Sequence, residues 1–330
     1  MVNTQEMSDT YRFRALLLIN RKARNGDTSI DAIAQWLRDE HIDPVIPKMD
    51  KHSRYWDVIR THAGHVDMVI VGGGDGTLNS TANALMETGL PLGILPLGTA
   101  NDLARTLGIP RDIKQAVEVI ARGAVRAIDL GEVNGHPFFN VSSIGFSAAM
   151  ARGLSAKSKK RWGTVGYALA AIRLLKQSRP FTVEIDHDGQ RERVKTVQVS
   201  VGNGRFYGGG MTVEQSARPD DGLFDVYSLE IDHWWEMIAL IPFLRRGTHG
   251  RWRKVRAFST TALTLQTSRP HDINADGEIV GTTPARFRIR RSAVRVFAPT
   301  PDARRGADAI VTEVTRRPKK QGLPSSGSPC

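Results

Sequence analysis

The chain has 330 residues, of which 40% are apolar and 24% charged. That composition excludes wholesale disorder, collagen-like repeats and an extended coiled coil, and at about 150 residues per domain the length points to two domains able to bury cores of their own. A balance of 46 Lys and Arg against 34 Asp and Glu leaves a net charge of +12, which suits an acidic partner such as nucleic acid, an anionic membrane or a phosphorylated ligand. The single cysteine, Cys330, allows neither an intrachain disulfide nor a Cys-rich metal site. The first residues, MVNTQEMSDTYRFR, carry no apolar signal-peptide core. The longest strongly apolar stretch, 237–244, falls far short of the ~20 residues that span a bilayer. A cytoplasmic protein is expected.

Taken in chain order, residues 15–19 (ALLLI) read as a buried strand ending at Asn20, and the apolar spacing of 30–37 as a helix. The pattern repeats. Residues 66–71 predict a strand, followed by a glycine-rich turn and a helix running through Met86; 92–95 predict another strand and 102–107 another helix. Strands alternating with helices predict a parallel α/β sheet over roughly the first 125 residues, with any ligand at the carboxyl ends of its strands. After Asp129 the texture becomes mostly β, with short segments at 194–201, 224–229, 261–266, 285–289 and 294–297, and Asp188-Gly189 reads as a hairpin turn. Helical stretches at 166–176 and 234–244 interrupt them. From Pro299 onward the chain is rich in Arg, Lys, Pro, Ser and Gly, and a basic disordered tail is expected.

Two loops carry the chemistry. The run from Val71 to Asn79, VGGGDGTLN, comes straight off a strand and opens into a helix. Glycines let backbone N–H groups turn toward a phosphate, the helix offers its positive end, and Thr77 can cap that helix or bond the phosphate. The alternative is a tight strand-to-helix turn needing positive φ. No Gly-Lys-Ser/Thr follows and the third glycine of the dinucleotide fingerprint is absent, so the loop is neither a Walker A nor a Rossmann motif. The second run, Leu95 to Arg105 (LPLGTANDLAR), has the same strand, glycine, helix order, and Thr99 with Asp102 could equally be a plain capping box. Two such loops on successive strands would converge on one ligand, which favours a nucleotide.

Together these runs resemble the diacylglycerol kinase catalytic domain, and most of all the bacterial soluble lipid kinases. Four further runs fall in the family's order: Asn140–Phe146 (NVSSIGF), Gly202–Gly204 (GNG), Asp220–Asp225 (DDGLFD) and Asp276–Glu278 (DGE). The resemblance implies ATP-dependent phosphorylation of a lipid hydroxyl such as that of diacylglycerol, in a cleft between an α/β nucleotide-binding domain and a β-sandwich-like second domain. The domains would be 1–128 for ATP, 129–300 for lipid and metal with the last strands returning to the first domain, and 301–330 as the tail. ATP would be held by Asn20, by Gly73, Gly74, Asp75, Gly76, Thr77, Leu78, Asn79 and Ser80, and by Thr99. The base would be Asp276 or Glu278, a choice left open, although Asp-Gly is also the commonest kind of hairpin turn. One Mg²⁺ would sit in the second domain on Asp221 with the carbonyls of Arg218 and Leu223, oxygen donors of the kind hard cations prefer. A catalytic Mg²⁺ would arrive with ATP near Asp75.

The chain departs from the family in two places. Its first loop, Asn20 to Gly26, reads NRKARNG, without the usual proline and one glycine, and after the second predicted strand Pro47-Lys48 stands where many relatives place a threonine against the nucleotide. Basic clusters at 157–162 and 245–256, the latter beside Trp234, Trp235, Phe243 and Trp252, suit peripheral contact with an anionic membrane, or else a packed helix with a solvated basic edge. No nucleic-acid module appears, so no nucleic-acid partner is expected; a homodimer stays open. Neither His-Glu-x-x-His nor Gly-x-Ser-x-Gly occurs, so a zinc hydrolase and a serine hydrolase are not expected. The rival readings are a NAD kinase, disfavoured by Asn140-Val-Ser-Ser, and a catalytically weak lipid- or nucleotide-binding regulator, disfavoured by the retained Asp75, Asp221, Asp276 and Glu278.

Overall fold

The computed structural model describes residues 12–20, 29–49, 53–153, 178–204, 206–207, 211–212, 218–233 and 254–300, with isolated positions at 173, 176, 235–237, 239–240, 243 and 252. The loop at 21–26, the basic cluster at 157–162, nearly all of the predicted helix at 166–176 and the expected tail from 301 lie outside the described residues.

The first half runs β1 (Phe13–Ile19), α1 (Ile30–Asp39), β2 (Ile42–Val45), α2 (Tyr55–His62), β3 (Met68–Gly73), α3 (Asp75–Asn79), α4 (Ala82–Thr88), β4 (Leu92–Pro96), α5 (Asp102–Leu107) and α6 (Ile113–Ala121). β3 is buried from end to end and β1 over Ala15–Leu18, the continuous apolar pattern of parallel strands covered on both faces. Ser29 starts α1 by accepting the N–H of Asp31 at 3.1 Å, and Ile33, Ala34 and Leu37 then fall on its buried side. The helix expected through Met86 is two helices. Between them the Ser80 and Thr81 hydroxyls donate to the carbonyls of Thr77 (2.6 Å) and Leu78 (2.7 Å), side-chain bonds that compete with the helical ladder.

The second half runs β5 (Val125–Val133), β6 (His136–Phe138), β7 (Val141–Gly145), α7 (Phe146–Gly153), β8 (Phe181–His187), β9 (Gln190–Thr196), β10 (Gln198–Gly202), the small ladder β11 (Phe206–Tyr207) and β12 (Met211–Thr212), β13 (Phe224–Leu229), β14 (Val255–Thr260), β15 (Ala262–Thr267), β16 (Asp272–Ala275), β17 (Glu278–Thr282) and β18 (Ala285–Phe297). The hairpin at Asp188-Gly189 is present, joining β8 to β9 with both residues at positive φ (49° and 76°). The strand expected over 194–201 divides at Val197, where the chain leaves one sheet for the other.

The larger sheet has the order β2-β1-β3-β4-β18-β15-β8-β9, with β5 and β6 attached beside β18. Its first four strands are parallel. The second sheet, β14-β13-β10-β7-β16-β17, is antiparallel throughout. An α/β lobe with a mostly parallel sheet therefore precedes an all-β, sandwich-like lobe. Phe138 stacks on Phe224 at 6.0 Å inside the sandwich, with Phe287 edge-on to both.

β18 joins the lobes. The two strands expected at 285–289 and 294–297 are one strand of 13 residues, irregular between Arg290 and Val294. Its start packs in the sandwich core through Phe287, and its end lies beside β4, with Val296 opposite Leu92. Asp129, buried on β5, holds the irregularity: its carboxylate accepts the N–H of Ser292 at 2.7 Å and that of Gly222 at 2.8 Å. Asp129→Ala would leave two N–H groups without their acceptor, an expected loss of about 2–5 kcal/mol. Asp129→Asn, which keeps one acceptor, should lose less; equal denaturation midpoints for Asp129→Ala and the parent chain would contradict this account.

Candidate active site

In the parallel sheet, β2 lies on one side of β1 and β3 on the other, so the carboxyl ends of β1 and β3 flank a topological switch point, where open α/β sheets bind ligands. Asn20, just past β1, and Thr77, in α3 just past β3, meet across it: Asn20 Nδ2 donates to Thr77 Oγ1 at 2.9 Å. The glycine-rich turn and the second loop touch here as well. A Cβ on Gly98 would overlap Gly74 Cα, and one on Gly73 would sit 2.6 Å from Thr77 Cβ. None of Gly72, Gly73, Gly74 and Gly76 has positive φ, so close approach, not a left-handed turn, accounts for Gly73 and Gly74.

A cavity of about 720 Å³ opens at this point, lined by Asn20, Gly74, Gly76, Thr77, Ser80, Gly98 and Thr99 together with Arg54, Tyr55 and Trp56. Six expected ligand-binding residues, Asn20, Gly74, Gly76, Thr77, Ser80 and Thr99, thus come together. Others have different surroundings. Leu78 is buried in the α/β core, the Asn79 Oδ1 atom is buried, and Asp75 Oδ1 accepts the N–H of Leu103 at 3.2 Å. Asp75 therefore does for α5 what Thr99 and Asp102 were read as doing in a capping box; Asn101 is the residue at the cap, at φ 52°, and makes no side-chain cap bond. Arg54, Tyr55 and Trp56 are cavity residues that sequence reasoning missed, since they belong to no glycine loop.

The two candidate acids lie on the turn between β16 and β17. Asp276 and Gly277 have φ of 45° and 93°, which any tight Asp-Gly hairpin needs. The side chain does more. Its carboxylate accepts three successive backbone N–H groups, from Phe139 (2.7 Å), Asn140 (3.1 Å) and Val141 (3.1 Å), while its own N–H donates to Val141 O at 2.9 Å. Burial pushes the Asp276 carboxyl up from 3.8 to about 6 against the pull of those donors, and the charge of Asp75 adds to the rise. The glycine-loop lobe and the sandwich acid are thus within electrostatic reach of each other. Glu278, the first residue of β17, is exposed.

The metal expectation centres on the turn carrying Arg218, Asp221 and Leu223. Its two aspartates divide their work: Asp220 pairs with Arg126 and Arg218, while Asp221 is exposed and accepts the Leu223 N–H on Oδ1 at 3.0 Å. The donor set is all oxygen, as a hard cation requires, with one carboxylate. No group of three His, Cys, Asp or Glu suited to a metal occurs among the described residues. Of the basic and aromatic cluster expected at a membrane, Trp234 and residues 244–251 and 253 lie outside the described residues. Lys254 pairs with Asp232 and Glu236, Arg256 pairs with Glu192 and Glu230, and Trp235 is 55% exposed. Among the described residues no helix is long and apolar enough to cross a membrane.

An α/β lobe with paired glycine loops at its switch point, continuous with an all-β sandwich that presents an acidic hairpin, defines a two-lobed kinase architecture. Residues 14–133 match the diacylglycerol kinase catalytic domain and residues 140–298 the YegS C-terminal NAD kinase beta sandwich-like domain. The chain is 32% identical over 224 residues to the diacylglycerol kinase of Bacillus subtilis, covering 67% of this chain and 74% of that one. It is 34% identical over 239 residues to a probable lipid kinase YegS-like protein of Pseudomonas syringae, covering 72% and 77%. Among solved structures, a putative diacylglycerol kinase from Bacillus anthracis superposes with a TM-score of 0.72 at 27% identity, over 88% of this chain and 96% of that one. The chain belongs to the diacylglycerol kinase family of lipid kinases.

Two measurements check this geometry. Gly98→Ala must force the two loops apart and should cost about 1–3 kcal/mol, the usual range for overpacking. Gly76→Ala, with nothing within 4 Å of the added carbon, should cost less than about 1 kcal/mol; equal losses in urea denaturation would contradict the loop contact. For Asp276, the folded chain binds the proton more tightly than the unfolded one, so the contribution of this group to stability is greatest below pH 4 and is lost as pH rises through about 6. Because the residue is part-exposed, the swing is at most about 3 kcal/mol. The stability difference between the parent chain and Asp276→Asn should therefore shrink or reverse across that window, and a flat difference would refute the shift.

Proposed function

We propose that this chain transfers the γ-phosphate of ATP, in a Mg²⁺-dependent reaction, to the hydroxyl of a lipid of the diacylglycerol type. The observation that carries the reading is the cavity at the switch point of the parallel sheet, where the two glycine loops meet beside Asn20, Thr77, Ser80 and Thr99: it supplies a phosphate cradle, and the sandwich hairpin supplies the acids Asp276 and Glu278. Phosphoryl transfer is mostly positioning and charge stabilisation, so those are the parts it needs. The triphosphate lies on the backbone of Gly73, Gly74, Gly76 and Gly98, with Asn20, Thr77, Ser80 and Thr99 around it; Leu78 and Asn79 support the loop from behind.

Glu278 is the base. The Asp276 carboxylate is already committed to three backbone donors, whereas Glu278 stands exposed beside it. The lipid oxygen forms its bond to the γ-phosphorus, the bond from that phosphorus to the β,γ-bridging oxygen breaks, ADP departs, and the hydroxyl proton goes to Glu278. Asp276 holds the hairpin that presents Glu278. A Mg²⁺ ion would neutralise the phosphate oxygens, and the Asp75 carboxylate of the glycine-rich loop would hold it. Asp221, with carbonyls of Arg218 and Leu223, would hold a second Mg²⁺ that steadies the sandwich turn. The net charge of +12 supports peripheral contact with an anionic membrane, where such a lipid is met.

The deciding assay offers γ-³²P ATP and dispersed diacylglycerol, with and without Mg²⁺, and NAD as a parallel acceptor. A labelled phospholipid that requires Mg²⁺ is expected; label on NAD alone would overturn the acceptor, and no label would overturn the reaction. Glu278→Gln should lower kcat by at least about a hundredfold with little change in the KM for ATP, and wild-type turnover in that variant would remove Glu278 from its role.

A further inference from the structure

We propose that Arg105 grips the phosphoryl group while it passes from the nucleotide to the lipid. The role rests on the reaction proposed above and assigns to it a residue for the group in transit. Arg105 stands on α5, the helix that follows the second glycine loop. Its guanidinium lies 3.9 Å from the carboxylate of Asp102, the first residue of that helix. The side chain therefore runs back along α5 toward the loops, the direction helical side chains prefer. The amide next to Asp102, that of Leu103, is the one Asp75 holds. The cation is thus directed to the end of α5 that the glycine-loop acid occupies.

Its other neighbour comes from the sandwich lobe. The guanidinium carbon lies 5.7 Å from the centre of the Phe206 ring, and the hydroxyl of Thr106, the next residue, accepts the Phe206 N–H at 3.4 Å. Phe206 opens β11 just beyond Gly204, whose N–H donates to Asn140 O at 3.3 Å. Asn140 in turn gives its own N–H to Asp276. One short run of contacts leads from Arg105 to Asp75, and a second leads from it to the hairpin of Asp276 and Glu278.

Neither neighbour satisfies the guanidinium. At 3.9 Å Asp102 attracts the charge without accepting a hydrogen bond, and among the described residues no acceptor lies within hydrogen-bond distance of it. Arg126 and Arg290, by contrast, spend theirs on the carboxylates of Asp220 and Glu132. The Arg105 side chain is only 33% exposed, so water meets part of its need and the rest awaits an anion. A planar fork of donors, steadied by an aromatic ring, fits the non-bridging oxygens of a phosphoryl group. During transfer the lipid oxygen bonds to the γ-phosphorus, the bond to the β,γ-bridging oxygen breaks, and the hydroxyl proton goes to Glu278. Arg105 keeps its own protons throughout and donates hydrogen bonds to the oxygens on which charge gathers.

The test measures steady-state transfer from γ-³²P ATP to dispersed diacylglycerol by the full chain with Mg²⁺. Arg105→Ala should lower kcat about a hundredfold or more and leave the KM for ATP within about threefold, because Arg105 does not line the glycine-loop cavity. Arg105→Lys keeps the charge without the fork and should fall between. Guanidinium ion added at millimolar concentration should restore part of the turnover of Arg105→Ala, which the loss of a mere contact between helix and strand would not allow. If Arg105→Ala does not fold, Arg105→Gln, which keeps most of the stem, carries the same expectations. Parental turnover in either neutral variant overturns the role. A loss of kcat that added guanidinium leaves untouched makes Arg105 a brace between α5 and β11 and overturns it too. Absence of transfer by the parent chain overturns the reaction itself, and this role with it.

Discussion

The attachment of the acidic hairpin depends on one carboxylate and three backbone N–H groups. Asp276 gathers the amides of Phe139, Asn140 and Val141, the stretch in which the chain passes from β6 to β7 and enters the sandwich. Successive amides turned toward one oxygen pair make an anion nest, and this one is filled from within the protein. Through it the β16–β17 hairpin, whose second strand starts at Glu278, is fixed to the segment where the lobes meet. The cost of burying that charge is visible in the raised carboxyl pKa, and the three donors offset part of it.

The same hairpin shows what a sequence can and cannot disclose. Asp276-Gly277 and Asp188-Gly189 are identical dipeptides, and both make tight turns at positive φ. They differ only in what surrounds the aspartate side chain, and that is set by residues far away in the chain. Elements whose signal is local were legible: α5 at Asp102–Leu107 and β13 at Phe224–Leu229 fall where the apolar pattern puts them, and both glycine loops announce themselves. β5 and β7 were not read as strands, because their burial comes from neighbours supplied by tertiary pairing. α2 was missed for a related reason. Its one fully buried side chain is Ile59, so no apolar stripe marks it, and its cavity residues Tyr55 and Trp56 look in sequence like scattered aromatics.

The positive φ that a plain tight turn would need is absent from Gly72, Gly73, Gly74 and Gly76; Gly74 and Gly98 matter because two strands' loops pass at van der Waals distance and no side chain fits between. Asp75 illustrates a similar displacement of role. Its position suggests phosphate or metal chemistry alone, but one oxygen is spent on the amide of Leu103. The loop acid thereby ties the first glycine loop to the helix that follows the second.

β18 has a consequence for how the molecule is made. Val296 completes the parallel sheet beside Leu92, and Val294, Val296, Phe297 and Ala298 belong to the α/β core. The lobe that begins the chain is therefore finished by residues synthesised about 200 positions later, a loop closure of the kind that slows folding. A ribosome must emit the entire sandwich before the first lobe can seal. Until then the flank of β4 that β18 will cover is an open strand edge of the kind that chaperones and stray β-strands engage. Vectorial synthesis, which usually lets an amino-terminal domain fold first, gives this one no such head start.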